Sequence, residues 1–270
     1  MTDYMGGSGR PPIRQCDSLT ESDLGVLLAV LQFADGLFPS GGFAHSFGLE
    51  TYAQDSTVRD AADLRELIST QLEGSAGPAD AVAAALAARA GSVTDRDACL
   101  ALDQRLDAMK TVPELRAASR QMGRQTARTA AALGRAGGTH GRAGAILDRV
   151  HVTLGEPFAE GLAAAIDDEL TPGHHAVVFG AVTGAHGASP ETAAAAFLQS
   201  TAALLVGAGL RLLPIGQLEG QRVLASMRPT IVRLARQAAA AGVDDMWSFT
   251  PGLEIAGIRH ADLEGRLFRS

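Results

Sequence analysis

Few residues in this 270-residue chain have the type and spacing that chemistry needs. The seven histidines are His45, His140, His151, His174, His175, His186 and His260. No two of them stand four apart, so no helical turn carries a ready two-histidine chelate. His174 and His175 are adjacent, and adjacent helical residues point apart. Each therefore reads first as an ordinary surface or hydrogen-bonded histidine. HExxH, GxSxG and Cys–His arrangements are absent, so nothing identifies a nucleophile. Cys16 and Cys99 are too few for a disulfide framework or a thiolate zinc site, and they fit a reducing cytoplasm. The most unusual cluster is Asp35–Glu50, DGLFPSGGFAHSFGLE, where Gly36, Gly41, Gly42 and Gly48 alternate with Phe38, Phe43 and Phe47. Gly41 and Gly42 ahead of a helix supply the backbone half of a phosphate cradle. The lysine that completes such a cradle is missing, because Lys110 is the only lysine in the chain.

The elements that must hold these residues are helices. Hydrophobic residues make up 46% of the chain and aromatics only 4%. Alanine supplies much of the apolar content, and alanine gives up no side-chain entropy in a helix. Leu24–Phe33 reads as a first apolar helix. Pro39 and Ser40 are placed to start another, on which Phe43 and Phe47, and His45 and Leu49, share faces. Helices follow over Val58–Gln71, Pro78–Ala90 and Thr94–Lys110, the last with Thr94 and Asp97 as a capping box. Pro113 restarts the chain into a helix with Arg116, Arg120, Arg124 and Arg128 along one side. Beyond a glycine-rich break come helices over Glu156–Leu170, His174–Gly187, Ser189–Pro214, Gln217–Met227 and Thr230–Ala241. No βαβ alternation and no repeat appears. The expected fold is all-α, a single-domain bundle of roughly ten helices. Residues 1–22 read as a disordered lead-in, 23–242 as the helical body and 243–270 as a flexible C-terminal tail.

Charge narrows the partners. The net charge is −7, which argues against nucleic acid or anionic lipid. The stretch from Arg105 to Arg149 nevertheless holds nine basic residues against three acids. It has no aromatic residue for base stacking, so its arginines read as a solvated face or as a docking site for an acidic protein. Thr171–Leu210 carries one charge, Glu191, but prolines, histidines and polar residues interrupt it. It reads as two buried helices and not as a membrane hairpin.

Four blocks, in order along the chain, resemble the UreF family of urease accessory proteins. The first is the opening cluster, through Asp35, Pro39, Gly41, Gly42, Phe43, His45, Ser46, Gly48, Leu49 and Glu50. The second is LDQRLDAMKTVPELRAASRQMGRQ, and the third is carried by Pro214, Gly216, Gln217, Gly220 and Gln221. The last is the tail, through Ile255, Ala256, Arg259, His260, Arg266, Leu267, Phe268, Arg269 and Ser270. Ala261 stands where an acid commonly follows the tail histidine, and Gly265 where serine is commoner. The resemblance implies a cytoplasmic, homodimeric, all-helical chaperone with no catalytic chemistry and no cofactor of its own. It implies a bridge between a UreG-type GTPase and a UreD/UreH-type scaffold on apo-urease during nickel insertion. The partner-binding residues it points to are Asp35, Pro39, Gly41, Gly42, Phe43, His45, Ser46, Gly48, Glu50, Gln217, Gln221, Ile255, Arg259, His260, Arg266 and Phe268. Two other readings stay open: a direct nickel-binding chaperone using His45 or His260, and a helical enzyme on a small substrate. Val243–Ser270 also carries Trp247, Phe249, Leu253, Ile255, Ile258, Leu267 and Phe268, too much apolar surface for a free polar tail. It is expected to order on a partner, so that removing His260–Ser270 leaves the body as stable as before.

Overall fold

The computed structural model describes residues 19–137 and 155–270. Residues 1–18 of the expected lead-in, and most of the glycine-rich break with His140 and His151, lie outside the described residues. Among those described, every regular element is helical, as composition and periodicity require. The order is α1 (Glu21–Ala34), α2 (Leu49–Gln54), α3 (Ala61–Gln71), α4 (Val82–Ser92), α5 (Arg96–Met109), α6 (Pro113–Gly137), α7 (Gly155–Asp167), α8 (His175–Ala185), α9 (Pro190–Leu212), α10 (Gln217–Ser226), α11 (Arg228–Ala240) and α12 (Pro251–His260).

Several boundaries differ from the sequence reading, each for a local reason. Helix α1 begins at Glu21, inside the expected lead-in, because Thr20 and Asp23 form a reciprocal capping box. Three polar residues there hide the start from a search for apolar periodicity. Helix α5 is capped by Asp95, whose carboxylate accepts from the Ala98 amide at 3.0 Å, and not by a Thr94–Asp97 box. Pro78 does not start a helix. It sits inside a wide π-helical stretch, Leu72–Ala81, that joins α3 to α4 without a break. Proline has no N–H and so cannot donate into the helical ladder here. The Gly74 carbonyl accepts from the Phe249 amide at 2.8 Å, and the Trp247 amide reaches the Pro78 carbonyl at 3.3 Å. A proline in the first third of the body thus provides the dock for the start of the C-terminal segment.

The bundle is centred on α4 and α8, which run closely together. A methyl group at Gly180 or Gly184 of α8 would overlap the carbonyls of Ala84 and Ala88 on α4. Alanine and glycine on the facing sides therefore set the spacing of the two helices. Gly184→Ala is expected to cost about 1–3 kcal/mol by forcing them apart. A urea midpoint unchanged from wild type would show that the spacing is adaptable.

Helices α6 and α7 cover one side of this pair, and α9 with α11 covers the other. Helix α9 is the one described helix long and apolar enough to cross a membrane, with a mean hydropathy of 1.6 over its most apolar window. In this fold it is a core helix, packed against α1, α4, α8, α10 and α11. The arginine row of α6 is partly tied down within the chain. Arg120 pairs with Asp107 of α5, and Arg128 with Asp167 of α7 at 2.7 Å. Arg116 donates to the Lys110 carbonyl.

Candidate functional site

The Asp35–Glu50 stretch is mostly loop. The Asp35 carboxylate accepts from the Leu37 amide at 2.6 Å and turns the chain away from α1. Gly42–Ala44 makes one 3-10 turn, His45 is extended, and Phe47 adopts φ 53°. Helix α2 starts only at Leu49. The shared helix faces expected for Phe43 with Phe47, and for His45 with Leu49, therefore do not exist. Phe43 is exposed while His45 and Leu49 are buried. The loop conformation has a clear use: it leaves the Ser46 and Phe47 amides free of helical partners, and both donate to the main-chain oxygen of Ser270, at 2.5 and 3.1 Å.

The C-terminal segment is thus not free. It carries a helix, α12, that its weak periodicity concealed, and it packs against α2 and α6. Gly48 permits the closest approach. Its φ is 88°, and a Cβ there would lie 3.3 Å from the Leu253 carbonyl and 3.4 Å from the Ala256 methyl. One turn later the Thr51 hydroxyl donates to the Ala256 carbonyl at 2.9 Å.

A single buried carboxylate then holds the chain beyond α12. Glu50 is 1% exposed. Its Oε1 accepts from the Leu267 amide at 2.6 Å, and its Oε2 accepts from the Phe268 amide at 3.0 Å. His260, fully buried, places Nε2 2.9 Å from Glu50 Oε2 and Nδ1 2.8 Å from Glu114 Oε2. Carboxylates only accept, so both bonds form together when both ring nitrogens carry hydrogen. Glu114, in the first turn of α6, also receives Arg266 at 3.0 Å. Burial alone would push the Glu50 carboxyl up. The Leu267 amide, His260 and the Phe268 amide outweigh it and hold the group below its ordinary value.

The end of the segment closes on the loop. Ser270 Oγ lies 2.8 Å from His45 Nδ1, the Ser46 hydroxyl donates to the Ser270 oxygen at 2.9 Å, and the Arg269 amide donates to the Ala44 carbonyl at 2.8 Å. Phe268 is buried beneath the Arg211 guanidinium, 4.2 Å from its ring centroid, while Arg211 donates to the Phe43 carbonyl at 2.9 Å. Outside, Arg259 forks onto Asp55 at 2.8 and 3.3 Å.

The structure therefore brings two of the sequence blocks together as one clasp. His45, Ser46, Gly48, Glu50, His260, Arg266 and Phe268 all belong to it, and Gly42 is buried behind it against Leu204 and Met122. Asp35, Pro39, Phe43, Ile255 and Arg259 lie exposed around it, with Gly41 half-buried. Gln217 and Gln221 stand apart, exposed on α10. Of their flanking glycines, Gly220 is already filled by Val206 and Leu210 of α9. Sequence reasoning missed Glu114, Thr51, Asp55 and Arg211 as members. Their partners lie far along the chain, 146 residues for Glu114 and 205 for Thr51, and no local spacing reveals such pairs.

The histidine pair has a separate structural role. The His174 ring bridges Ser119 at 3.0 Å and Asp107 at 2.8 Å, while buried Asp103 accepts from Thr171, Gly173 and the His174 amide. His175 lies against Phe179 and Phe197. Burial pushes its pKa down to about 4, with the Asp80 charge opposing the shift and the Lys110 charge adding to it. His45 is likewise pushed down to about 4, by burial and then by Arg269 and His260, and its Nε2 has no partner among the described residues. Between pH 6.5 and about 4 the unfolded chain binds protons at these rings that the folded chain does not. Stability therefore rises with pH across that window and is lost on acidification. Each ring is expected to remove about 2–3 kcal/mol by pH 4. His175→Phe, which keeps the aromatic packing, should flatten the acid limb of a stability–pH curve measured in urea; an unchanged limb would exclude His175 as its source.

The fold and clasp define an all-helical protein whose C-terminal segment is locked onto its N-terminal loop through buried acid and histidine. The family model described as UreF matches residues 58–228, and the chain belongs to the UreF family. It is 31% identical over 244 residues to the urease accessory protein UreF of Bacillus sp. (strain TB-90), covering 90% of this chain and 99% of that one. It is 32% identical to the UreF of Rhizobium leguminosarum bv. viciae, covering 93% and 99% of the two chains. It is also 32% identical to that of Bradyrhizobium sp., covering 98% and 100%.

Proposed function

We propose that this chain is a urease maturation chaperone that bridges a UreG-type GTPase and a UreD/UreH-type scaffold while nickel is inserted into apo-urease. It works as a cytoplasmic homodimer and has no catalytic step of its own. Nickel is cargo of the assembly. The observation that carries the reading is the clasp. It consumes the polar residues of both sequence blocks in holding the chain to itself, and it turns apolar residues outward. Ile255 and Ile258 on α12 and Leu267 beyond it are each more than half exposed, and Phe249 is 72% exposed. Such residues on a fixed helix and its flanks suit a protein partner. The buried members act by fixing this surface, and the exposed ones, Ile255 with Arg259 and Arg266 at its edge, touch the scaffold. Ile255→Asp with Ile258→Asp is expected to leave the fold intact and abolish pull-down of the scaffold. Urease activity in cells co-expressing the structural subunits and the other accessory proteins should fall with it. Wild-type recovery of scaffold and activity would remove α12 from the interface.

A further inference from the structure

We infer that α1 is the seam at which two copies of this chain pair, antiparallel, about a two-fold axis near Leu27 and Leu28. The inference rests on the homodimer in the reading above and names its surface. Helix α1 is apolar on both sides. Val30 and Phe33 face inward and are buried. Leu24, Leu27, Leu28 and Leu31 face outward at 45%, 44%, 66% and 56% exposure. Their three- and four-residue spacing is that of a helix-pairing seam. Single exposed leucines are ordinary, but a continuous row of them marks a contact surface.

The two ends of α1 differ in a way that a two-fold exploits. The N-terminal end carries Glu21, Asp23 and the exposed Leu19. The C-terminal end opens on a cavity of about 290 Å³ lined by Phe33, Phe38 and Phe43, with Gly36 and Arg211 among its other walls. Antiparallel pairing sets Leu24 against Leu31 and Leu27 against Leu28. The same register carries Leu19 over Gly36, where open space surrounds the missing side chain. It also brings Glu21 and Asp23 toward Arg211 of the partner subunit. Arg211 spends one N–H on the Phe43 carbonyl and has four more. The leucine row alone falls short of the ~800 Å² per partner that stable interfaces bury, so the contact must include these ends. Parallel pairing would instead stack Glu21 and Asp23 on their own copies. Residues 19–37 carry three acids and no base, which sets this face against an anionic lipid surface.

The test is sedimentation velocity on the full chain at tens of micromolar, with circular dichroism to confirm folding. Wild type is expected to be a dimer. Leu28→Glu, at an exposed position, should weaken it by at least about tenfold with the helical spectrum unchanged. Glu21→Arg, which spares the Thr20–Asp23 capping box, should weaken it as well, and adding Arg211→Glu should restore it. Dimerisation of Leu28→Glu at wild-type affinity overturns the seam while leaving the homodimer standing. A dimer sensitive to Leu28→Glu but indifferent to the charge reversals overturns the antiparallel register. A monomeric wild type overturns the homodimer itself.

Discussion

Glu50→Ala is expected to lower stability by about 3–5 kcal/mol, the usual cost of removing one partner from a buried ionic cluster. The change deletes the acceptor of two backbone amides and of a fully buried histidine at once. Hydrogen exchange should show the Leu267 and Phe268 amides losing protection, while amides of α4 and α8 keep theirs in proportion to global stability. Glu50→Gln tests the charge separately. It retains one acceptor oxygen but places an NH₂ against a donor, so it should cost nearly as much. The same group adds to acid sensitivity. Its folded pKa lies below the unfolded one, so its contribution is present above the ordinary carboxylate value and is lost as pH falls through the folded value. Full protection of Leu267 and Phe268 in Glu50→Ala would mean that the carboxylate does not hold the segment.

How much of this was legible in the sequence depended on distance along the chain. Helices with a full apolar stripe, such as α3 and α5, followed from local spacing. So did the strong start at Ser189–Pro190, where the Ser189 hydroxyl accepts from the Thr192 amide. Helix α12 did not. Only Leu253, Ala256, Gly257 and His260 of its ten residues turn inward, and two of those are too small to register as a stripe. The π-helical stretch at Pro78 was illegible for a related reason: a proline reads locally as a breaker, and the remote amides that meet the Gly74 and Pro78 carbonyls leave no mark in the spacing around it. Resemblance located both halves of the clasp without showing that they meet. Buried glutamate and histidine announce a partner but not which one, and Glu114 became visible only when α6 was placed beside α12.

The docked segment gives the second large effect, and it argues against the expectation that removing His260–Ser270 leaves the body as stable as before. Removing residues 261–270 takes away Phe268, whose burial is worth about 2–3 kcal/mol. It also removes both backbone amides that donate to Glu50, the Ser270 acceptor and the Arg266 donor to Glu114. The loss is expected to be about 3–5 kcal/mol, the usual cost of opening a buried ionic cluster. That value is also a ceiling. Once Glu50→Ala costs more than docking supplies, the segment leaves, water reaches His260, and no further stability is lost. The two changes should then be strongly non-additive. Truncation and Glu50→Ala should each lower the urea midpoint by a similar amount, and Glu50→Ala introduced into the truncated chain should cost less than about 1 kcal/mol more. A truncated chain as stable as the full one would return the segment to a free tail. Full additivity would show that Glu50 stabilises α2 and α12 by a route independent of the residues it clasps.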